Sequence, residues 1–532
     1  MTLPRHLPRA AGAEAAVDIA LLLEGTFPYV SGGVSSWVNQ IIRAFPEIRF
    51  AVVFLGSRAE DYGDLKYVLP DNVVHFETHY LYDFAAPDRK PAARRANACA
   101  FAQAVKLHDG FAGNPDDGAA LAAFRAVAGE LLPGGKLPLA DFLHSEEAWQ
   151  AISDRYRAHC TDPSFVDYFW TARIMHAPLW TLARVAHGLI PARAYHSMST
   201  GYAGFLGALL HQTTKRPLIL SEHGIYTKER KIDLFKSEWI RDNRNVFEKD
   251  ASQIPYFREM WIRFFEALGR LCYQASNDIV ALYETNRLRQ IHDGAPAERT
   301  RNIPNGIDLP RLSKLRALRS EKIPPVLCLL GRVVPIKDVK TFIRAMRTVV
   351  NQYPEAEAWI AGPEDEDPAY AGECHAIADG LGLTDKVKFL GFQKIDELMP
   401  KIGLVVLSSI SEALPLVLLE GFAAGVPAVA TDVGSCRQLL YGLSEEDQAL
   451  GAAGDVVGIA QPQALADAAL KLLTDPQRWH AAQAAGIARV ERYYTQDMMF
   501  GAYRELYQRS LAQGGPDSDA ASGQPLRCPV RH

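Results

Sequence analysis

The chain has 532 residues, long enough for two to four domains, with 48% hydrophobic and 22% charged residues, as is typical of a globular protein. A net charge of -5 does not favour a nucleic-acid-binding protein, and we expect no nucleic-acid partner. No apolar run reaches the roughly 18 residues of a membrane helix, and residues 1–17 lack the apolar core of a signal peptide. Seven scattered cysteines without a Cys-x-x-Cys pair argue against a zinc site or a disulfide framework. These features predict a cytoplasmic protein.

After an N-terminal extension, residues 1–17, the first predicted domain covers residues 18–315. Short apolar strands alternate there with helices, which is typical of a parallel sheet covered by helices. The strands are predicted at 18–23, 50–55, 73–76, 194–196, 218–221 and 278–282. Residues from about 85 to 190 show helical periodicity with few strand signals, which predicts a helical insertion into this domain.

A second predicted domain, residues 316–494, repeats the alternation of strands and helices. Its strands are predicted at 326–330, 358–361, 387–390, 404–407 and 428–431, and its helices at 341–352, 373–380, 416–424, 462–473 and 476–492. A helix at 495–512 is expected to pack back toward the first domain, before a disordered tail at 513–532. The fold class is therefore α/β, with two Rossmann-like domains predicted to face each other across a cleft.

The strongest motif follows the predicted strand 404–407. A short loop holds Glu412, and Pro415 stands where the next helix begins, a position that suits its fixed φ and missing N–H group. The free N–H groups and positive dipole of that helix start suit a diphosphate. Glu420 lies just over one turn inside the helix and leans toward its start, so two carboxylates flank an anion site and can accept hydrogen bonds from hydroxyl groups.

A second motif, the basic turn 331–338, directly follows the predicted strand 326–330. It contains Arg332 and Lys337, two cations that could stabilise negative charge developing on a diphosphate leaving group. A solvated basic turn is the alternative interpretation.

Weaker signals lie at the ends of other strands. Gly32 and Gly33 join the first strand to a helix, so the backbone there can approach a ligand closely, although glycines are common in any tight turn. His223 lies just after the strand 218–221 and is a candidate for hydrogen bonding to a ligand, although a lone histidine is more often structural. Its neighbour Glu222 and the more distant His196 are candidates on the acceptor side of the cleft, and His196 is the weaker signal of the two histidines.

The pattern Glu412-x7-Glu420, continued by residues 421–427 and 430–434, closely resembles family 4 retaining glycosyltransferases of the GT-B fold. The resemblance implies that Glu412 contacts the donor sugar, Glu420 holds the nucleotide ribose, and Arg332 with Lys337 binds the leaving diphosphate. It also assigns His223 a place near the donor sugar. The remaining donor-binding residues that it implies are Gly32, Gly33, Gly391, Ala413, Leu414, Pro415, Leu416 and Val417.

Segments 24–37, 222–227 and 362–370 give a closer resemblance, to cytosolic glycosyltransferases of bacterial Pel exopolysaccharide synthesis, over about residues 18–510. It implies a UDP-sugar donor, an oligosaccharide or polysaccharide acceptor, and inner-membrane polysaccharide-synthesis partners. Gln438 departs from the pattern, where glutamate is expected, and puts only local polar contacts in doubt.

The resemblance implies retention of anomeric configuration, and no carboxylate nucleophile is evident in the sequence. No Asp-x-Asp motif stands at a convincing strand end, so we expect no cofactor and no obligatory metal. Two alternatives remain open: a nucleotide-sugar epimerase of the same fold, and a non-catalytic UDP-sugar-binding subunit of a membrane synthase complex.

Overall fold

A computed structural model describes residues 16–82, 94–112, 118–237, 239–244 and 254–513 of the chain. The predicted N-terminal extension up to residue 15, the tail from residue 514, and the parts of the predicted insertion at 85–93 and 113–117 lie outside these residues. The chain divides into two compact units. Unit 1 comprises Met1–Ala281, Arg287–Asn302 and Tyr503–His532, and unit 2 comprises Leu282–Asn286 and Ile303–Ala502.

Unit 1 is built around a parallel sheet. Its strands in the described residues are β1 (Val17–Glu24), β2 (Phe50–Gly56), β3 (Val73–Tyr80), β4 (Ala192–Ser197), β5 (Leu218–Glu222), β6 (Asp278–Ala281) and β7 (Thr300–Asn302). They lie in the order β3-β2-β1-β4-β5-β6-β7, and every pair is parallel. The order reverses between β1 and β4, so the crevice at the carboxyl ends of these two strands is the topological switch point, where open α/β sheets bind ligands.

Unit 2 contains a second parallel sheet. Its strands are β8 (Val326–Leu330), β9 (Glu357–Ala361), β10 (Val387–Gly391), β11 (Leu404–Leu407), β12 (Ala428–Thr431) and β13 (Gly454–Val457). They follow the order β10-β9-β8-β11-β12-β13 and again every pair is parallel. The switch point of this sheet lies between β8 and β11, whose registers pair Leu404 with Leu327.

Helices connect the strands throughout the described residues. In the chain up to β7 they are α1 (Gly33–Ala44), α2 (Ala98–Ala112), α3 (Ala119–Leu131), α4 (Leu139–His144), α5 (Glu146–His159), α6 (Phe165–Gly188), α7 (Tyr202–Thr214), α8 (Tyr226–Lys236), α9 (Tyr256–Ala275) and α10 (Glu284–His292). Beyond β7 they are α11 (Leu309–Ser313), α12 (Val339–Gln352), α13 (Pro368–Gly380), α14 (Ile395–Leu398), α15 (Leu416–Ala423), α16 (Cys436–Tyr441), α17 (Glu445–Gln448), α18 (Pro462–Leu473), α19 (Pro476–Tyr493) and α20 (Gln496–Gln513).

The two predicted parallel-sheet regions and the helical insertion are present. Helices α2 to α6 fill the described part of the insertion, between β3 and β4. Strands β7 and β13 were not predicted from the sequence. Strand β7 consists of three half-buried polar residues, and β13 begins with a glycine. The predicted domain boundary at 315/316 falls inside unit 2, which takes up the chain from Ile303. That the two sheets face each other across a cleft stays a prediction.

The last helix, α20, supplies core side chains to unit 1 from Tyr503 onward. Tyr507 packs edge-on against Phe45, the residue that directly follows α1, and its hydroxyl lies 2.9 Å from Nδ1 of His196. Tyr503 packs against Trp37. Unit 1 therefore closes its core with residues from the far end of the described chain.

In the described part of the chain, no helix combines the length and the hydropathy needed to cross a lipid bilayer. None of the six described cysteines forms a disulfide.

A buried ion pair organises the end of unit 2. Arg489 of α19 is fully buried, and its Nε donates to Asp447 Oδ1 at 2.6 Å. The same guanidinium donates to the carbonyl oxygens of Leu440, Asp447 and Gly451, each at 2.8 Å. Removing the Arg489 side chain therefore leaves the buried Asp447 carboxylate without its counter-charge.

We therefore expect Arg489→Leu to lower the free energy of unfolding by about 3–5 kcal/mol, the cost of breaking a buried ion pair from one side. Arg492→Leu, an exposed position on the same helix, is the matched control and is expected to change it by no more than about 0.5 kcal/mol. Thermal unfolding of the two variants checks this. Equal unfolding temperatures for both variants would contradict the assignment.

Candidate functional site

The basic turn and the Glu412 loop leave the two strands at the switch point of unit 2. Arg332 follows β8, and Ser408 follows β11. Gly331 N donates to the carbonyl oxygen of Ala361 at 2.9 Å, so the basic turn is held against the end of β9. A side chain at Gly362 would bring a Cβ to 1.9 Å from the carbonyl oxygen of Gly331, so only glycine permits this approach.

The structure brings Lys337 and Glu412 into direct contact. Lys337 Nζ lies 2.6 Å from Glu412 Oε1, which also accepts a hydrogen bond from Ser409 Oγ at 2.7 Å. The two loops are joined through backbone as well, since Ser408 Oγ donates to the carbonyl oxygen of Lys337 and Ile410 N donates to that of Ile336. The cation and carboxylate are thus positioned by four hydrogen bonds at one sheet edge.

A third loop, after β12, supports the backbone of Glu412 from the other side. Thr431 Oγ1 donates to the carbonyl oxygen of Ser409 at 2.6 Å, and Ser435 N donates to that of Ala413 at 2.9 Å. Gly434 has φ of +54°, and a Cβ there would lie 2.2 Å from the carbonyl oxygen of Glu412. The sequence analysis noted this segment only as part of a resemblance and assigned no role to Ser409, Thr431 or Gly434.

Arg332 lies at the same edge but outside the Lys337–Glu412 pair. Its Nη1 contacts both carboxylate oxygens of Glu366 at 2.6 Å, and the two side chains are about half exposed. An exposed ion pair of this kind contributes little to stability, so the guanidinium can exchange Glu366 for another anion at small cost.

The start of α15 provides the predicted helix N-terminus. Pro415 is its N-cap residue, and no side chain caps the first N–H groups. Leu416 and Val417 are half-buried, whereas Ala413 and Leu414 lead into the helix from the Glu412 loop. Uncapped N–H groups and the helix dipole together favour an anion at this end.

Glu420 occupies a separate, more enclosed place on α15. Burial raises the pKa of its carboxyl, the positive charge of Arg311 opposes that rise, and Asp396 adds to it. Arg311 and Asp396 pair with each other at 2.5 Å. Gly391, at the end of β10, has φ of +61° and no described protein atom within 4 Å of a Cβ, while the neighbouring Phe392 is 81% exposed.

In unit 1, Gly32 and Gly33 lie where the loop that follows β1 enters α1. Gly32 is the N-cap residue of α1 in an extended conformation, and no described atom would lie within 4 Å of a Cβ on either residue. No contact within the described chain therefore requires glycine at these two positions, and the free space beside them allows a ligand to approach the backbone closely.

His223 follows β5 and packs edge-on against Trp37 of α1, with ring centroids 4.6 Å apart. Burial lowers the pKa of its imidazole to about 4, so the ring is uncharged at neutral pH. Its Nε2 is buried and has no hydrogen-bond partner among the described residues. An uncharged ring with one unsatisfied nitrogen can bind a hydroxyl group as donor or acceptor.

His196 and Glu222 are enclosed within unit 1. His196 lies 2.9 Å from the Tyr507 hydroxyl and 2.8 Å from Ser221 Oγ, which occupies both ring nitrogens. Glu222 accepts hydrogen bonds from Tyr273 at 2.7 Å and Gln290 at 3.0 Å. Neither side chain is accessible to an acceptor in this structure, so the geometry assigns both a role in positioning the loops that follow β4 and β5.

Glu24 is a residue at this edge that the sequence analysis quoted without assigning it a role. It ends β1, and it accepts hydrogen bonds from the Tyr226 hydroxyl at 2.8 Å and from Ala203 N at 3.0 Å. A Cβ on Gly201 would lie 2.3 Å from the Tyr226 ring and 2.7 Å from Glu24 Oε2. The signal for it in the sequence is a carboxylate at the end of a buried strand, directly before Gly25.

Among the described residues, no group of three histidine, cysteine, aspartate or glutamate side chains is arranged to hold a metal ion. The expectation that no metal is required stays a prediction.

Residues 17–298 match the family described as "Domain of unknown function (DUF3492)", and residues 313–489 match "Glycosyl transferases group 1". The lipopolysaccharide core biosynthesis mannosyltransferase LpsB of Rhizobium meliloti is 31% identical over 180 residues, 34% of this chain and 50% of that protein. The exopolysaccharide phosphotransferase SCO2592 of Streptomyces coelicolor is 35% identical over 172 residues, 32% of this chain and 17% of that protein. The chain thus spans half or less of the length of these two relatives.

The crystal structure of Anabaena Alr3699/HepE in complex with UDP and glucose is similar in fold, with a TM-score of 0.52 at 16% identity. The match covers 92% of this chain and 99% of that one. Together with the two parallel-sheet units, it confirms the predicted GT-B fold.

The contact between Gly434 and the Glu412 loop predicts a large effect of one added methyl group. Gly434→Ala combines left-handed backbone strain of about 1–2 kcal/mol with a collision against the backbone of Glu412. Gly382→Ala is the matched control, because Gly382 has a similar φ of +63° with no described atom within 4 Å. We expect Gly434→Ala to lower the unfolding temperature more than Gly382→Ala does. Only Gly434→Ala is expected to speed proteolysis within residues 409–415. Equal behaviour of the two variants would refute the assigned contact.

Glu222 makes the stability of unit 1 depend on pH. Burial raises the pKa of its carboxyl to about 7, against the opposing hydrogen bonds from Tyr273 and Gln290. The pKa of this carboxyl is near 4.5 in the unfolded chain, so between pH 4.5 and about 7 folding is accompanied by uptake of a proton. The free energy of unfolding therefore falls as pH rises from 4.5 through about 7, because over that range the buried carboxyl keeps a proton that the unfolded chain has released. We expect the unfolding temperature to fall from pH 5 to pH 8, and Glu222→Gln to remove that part of the slope. An unchanged slope in this variant would show that other groups titrate.

Proposed function

We propose that this chain, which belongs to the family described as domain of unknown function DUF3492 and carries a glycosyl transferases group 1 domain, is a retaining glycosyltransferase that uses a UDP-sugar donor. One observation carries the proposal: Lys337 and Glu412 meet at the switch point of unit 2, beside the uncapped start of α15. A cation, a carboxylate and free N–H groups are the partners that a nucleoside diphosphate-sugar requires.

The diphosphate is assigned to Lys337, Arg332 and the backbone from Ala413 to Val417. Lys337 holds a position fixed by its hydrogen bond to Glu412, and Arg332 exchanges Glu366 for phosphate oxygens. Arginine can bind these oxygens with two parallel hydrogen bonds, and lysine acts as a point charge.

The sugar and the ribose are assigned to the two carboxyl groups on either side of that anion site. Glu412 accepts hydrogen bonds from donor-sugar hydroxyls, and Glu420 accepts them from the ribose. The base is assigned to the backbone at Gly391, where no described protein atom lies within 4 Å of the position that a Cβ would take.

Transfer proceeds by breaking the bond between the anomeric carbon and the diphosphate oxygen, whose electron pair leaves with UDP. The acceptor hydroxyl attacks the cation-like sugar from the same face, and a departing phosphate oxygen takes its proton. Lys337 and Arg332 stabilise the charge as it develops, and positioned cations of this kind are among the largest contributors to catalysis. His223 supplies an uncharged hydrogen-bonding partner for a sugar hydroxyl.

A growing exopolysaccharide of the Pel type is the proposed acceptor, and the transferred unit is a hexose or N-acetylhexosamine. Similarity to a lipopolysaccharide mannosyltransferase and to an exopolysaccharide phosphotransferase supports a polysaccharide-building role. We place the protein in the cytoplasm, recruited by inner-membrane polysaccharide-synthesis proteins, with no obligatory metal.

Calorimetric titration with UDP, ADP and GDP tests the donor site. We expect selective UDP binding that weakens by about 10-fold or more in Lys337→Ala and Glu420→Ala, because each variant removes a hydrogen bond to a charged or buried group. Lys471→Ala, at an exposed position of α18, is the control and should bind UDP as the unaltered protein does.

The outcomes separate the alternatives. Absence of nucleotide binding to folded protein would overturn the proposal. Conversion of the UDP-sugar alone into a new nucleotide sugar would identify an epimerase. UDP binding without transfer, with acceptor and membrane partners present, would identify a non-catalytic subunit.

A further inference from the structure

The helical insertion of unit 1 encloses a cavity of about 460 Å³, far along the chain from the residues assigned above. Helices α2, α4, α5 and α6 form its walls, and its size falls in the range of about 300–1,000 Å³ that small-molecule sites occupy. Aromatic and aliphatic side chains line most of it. Trp149 and Trp170 belong to the lining and are more than half exposed, so they lie where the cavity opens to solvent.

Arg173 places a positive charge on this apolar wall. Its guanidinium carbon lies 4.9 Å from the ring centroid of Phe169 and 5.9 Å from that of Trp170, and its Nη1 donates to the carbonyl oxygen of Leu143. Burial lowers the pKa of the guanidinium, and no carboxylate pairs with it among the described residues. The charge is therefore partly desolvated without a counter-ion from the described chain.

The other polar groups of the lining do not neutralise Arg173. No aspartate or glutamate is among the described residues that line the cavity. Arg155, the second arginine of the lining, is already paired with Asp109 at 2.5 Å. Of the lining arginines, Arg173 is thus the one left to bind an anion.

Two of the three histidines in the lining, His108 and His176, lie against each other. His108 and His176 are hydrogen-bonded through Nδ1 and Nε2 at 3.0 Å, and His176 Nδ1 donates to the carbonyl oxygen of Ala172 at 2.7 Å. Burial lowers the pKa of both rings, so they are uncharged at neutral pH. In that state His176 Nε2 accepts the proton of His108 Nδ1, and His108 Nε2 carries no proton. The histidine pair adds an acceptor to the lining and no second charge.

We infer that this cavity binds an anionic amphiphile, with the apolar chain against the aromatic wall and a phosphate or carboxylate head on Arg173. Tryptophan at the opening suits such a ligand, because its ring bridges apolar and aqueous surroundings. The inference rests on unit 1 alone and does not depend on the proposed transferase activity.

Calorimetric titration of the full chain with dodecyl phosphate, dodecanoate and uncharged dodecanol, each below its aggregation concentration, tests the inference. We expect both anions to bind and dodecanol to bind at least about 10-fold more weakly, because it lacks the charge-assisted hydrogen bond. Arg173→Gln should weaken both anions by a similar factor and leave dodecanol unchanged. Arg184→Gln, an exposed position on the same helix, is the matched control and should bind all three as the unaltered protein does.

A second variant tests the inference independently, in case Arg173→Gln fails to fold. Ala151→Phe fills the cavity from α5 and should abolish binding of both anions while circular dichroism shows an intact fold. Tighter binding of one anion than the other identifies the head group as phosphate or carboxylate. Equal binding of dodecanol and the anions, or no binding by any of the three, would overturn the inference.

Discussion

All strands within each sheet run in one direction, and this constraint decides which side chains can meet. In a parallel sheet every strand-to-helix loop leaves from the same edge, so residues far apart in sequence are gathered there without any further device. In unit 2 the strand order also reverses between β8 and β11, which opens a crevice between the basic turn and the Glu412 loop. The strand order determines which loops lie together at this edge, and the side chains on those loops determine what the site can bind.

Within that crevice, backbone contacts fix the positions of the loops that the strand order brings close together. Gly362 allows the basic turn to lie on the end of β9, and Gly434 allows a third loop to lie on the backbone of Glu412. Ser409 and Thr431 then connect the loops by hydrogen bonds. These hydrogen bonds hold the backbone of the two loops, and Lys337 and Glu412 then meet at the ends of their side chains.

The sequence was sufficient to predict the elements that obey a simple periodicity. Strands β8, β11 and β12 and helix α18 were predicted with the bounds that the structure has, because each is an unbroken apolar or amphipathic run. Strand β7 was missed because its three residues carry no apolar signal. The contact of Lys337 with Glu412 joins residues 75 positions apart, and the enclosure of His196 by Tyr507 joins residues 311 apart, so neither has a local pattern that could reveal it. The GT-B fold is confirmed, whereas the donor, the acceptor and the metal requirement remain predictions.

The order in which the chain is synthesised determines when the core of each unit can be completed. Unit 2 is nearly continuous from Ile303 to Ala502, whereas unit 1 takes Tyr503 and the residues after it from the end of the chain. Its strand β1 also pairs with β4, as Ala20 with Tyr195, across the whole insertion. Contacts between such distant segments form slowly, because the loop between them must close first. Unit 1, whose strands precede unit 2 in the chain, therefore completes its core only after unit 2 has been synthesised. Its Trp37 and Phe45 stay without Tyr503 and Tyr507 until that later segment has emerged from the ribosome.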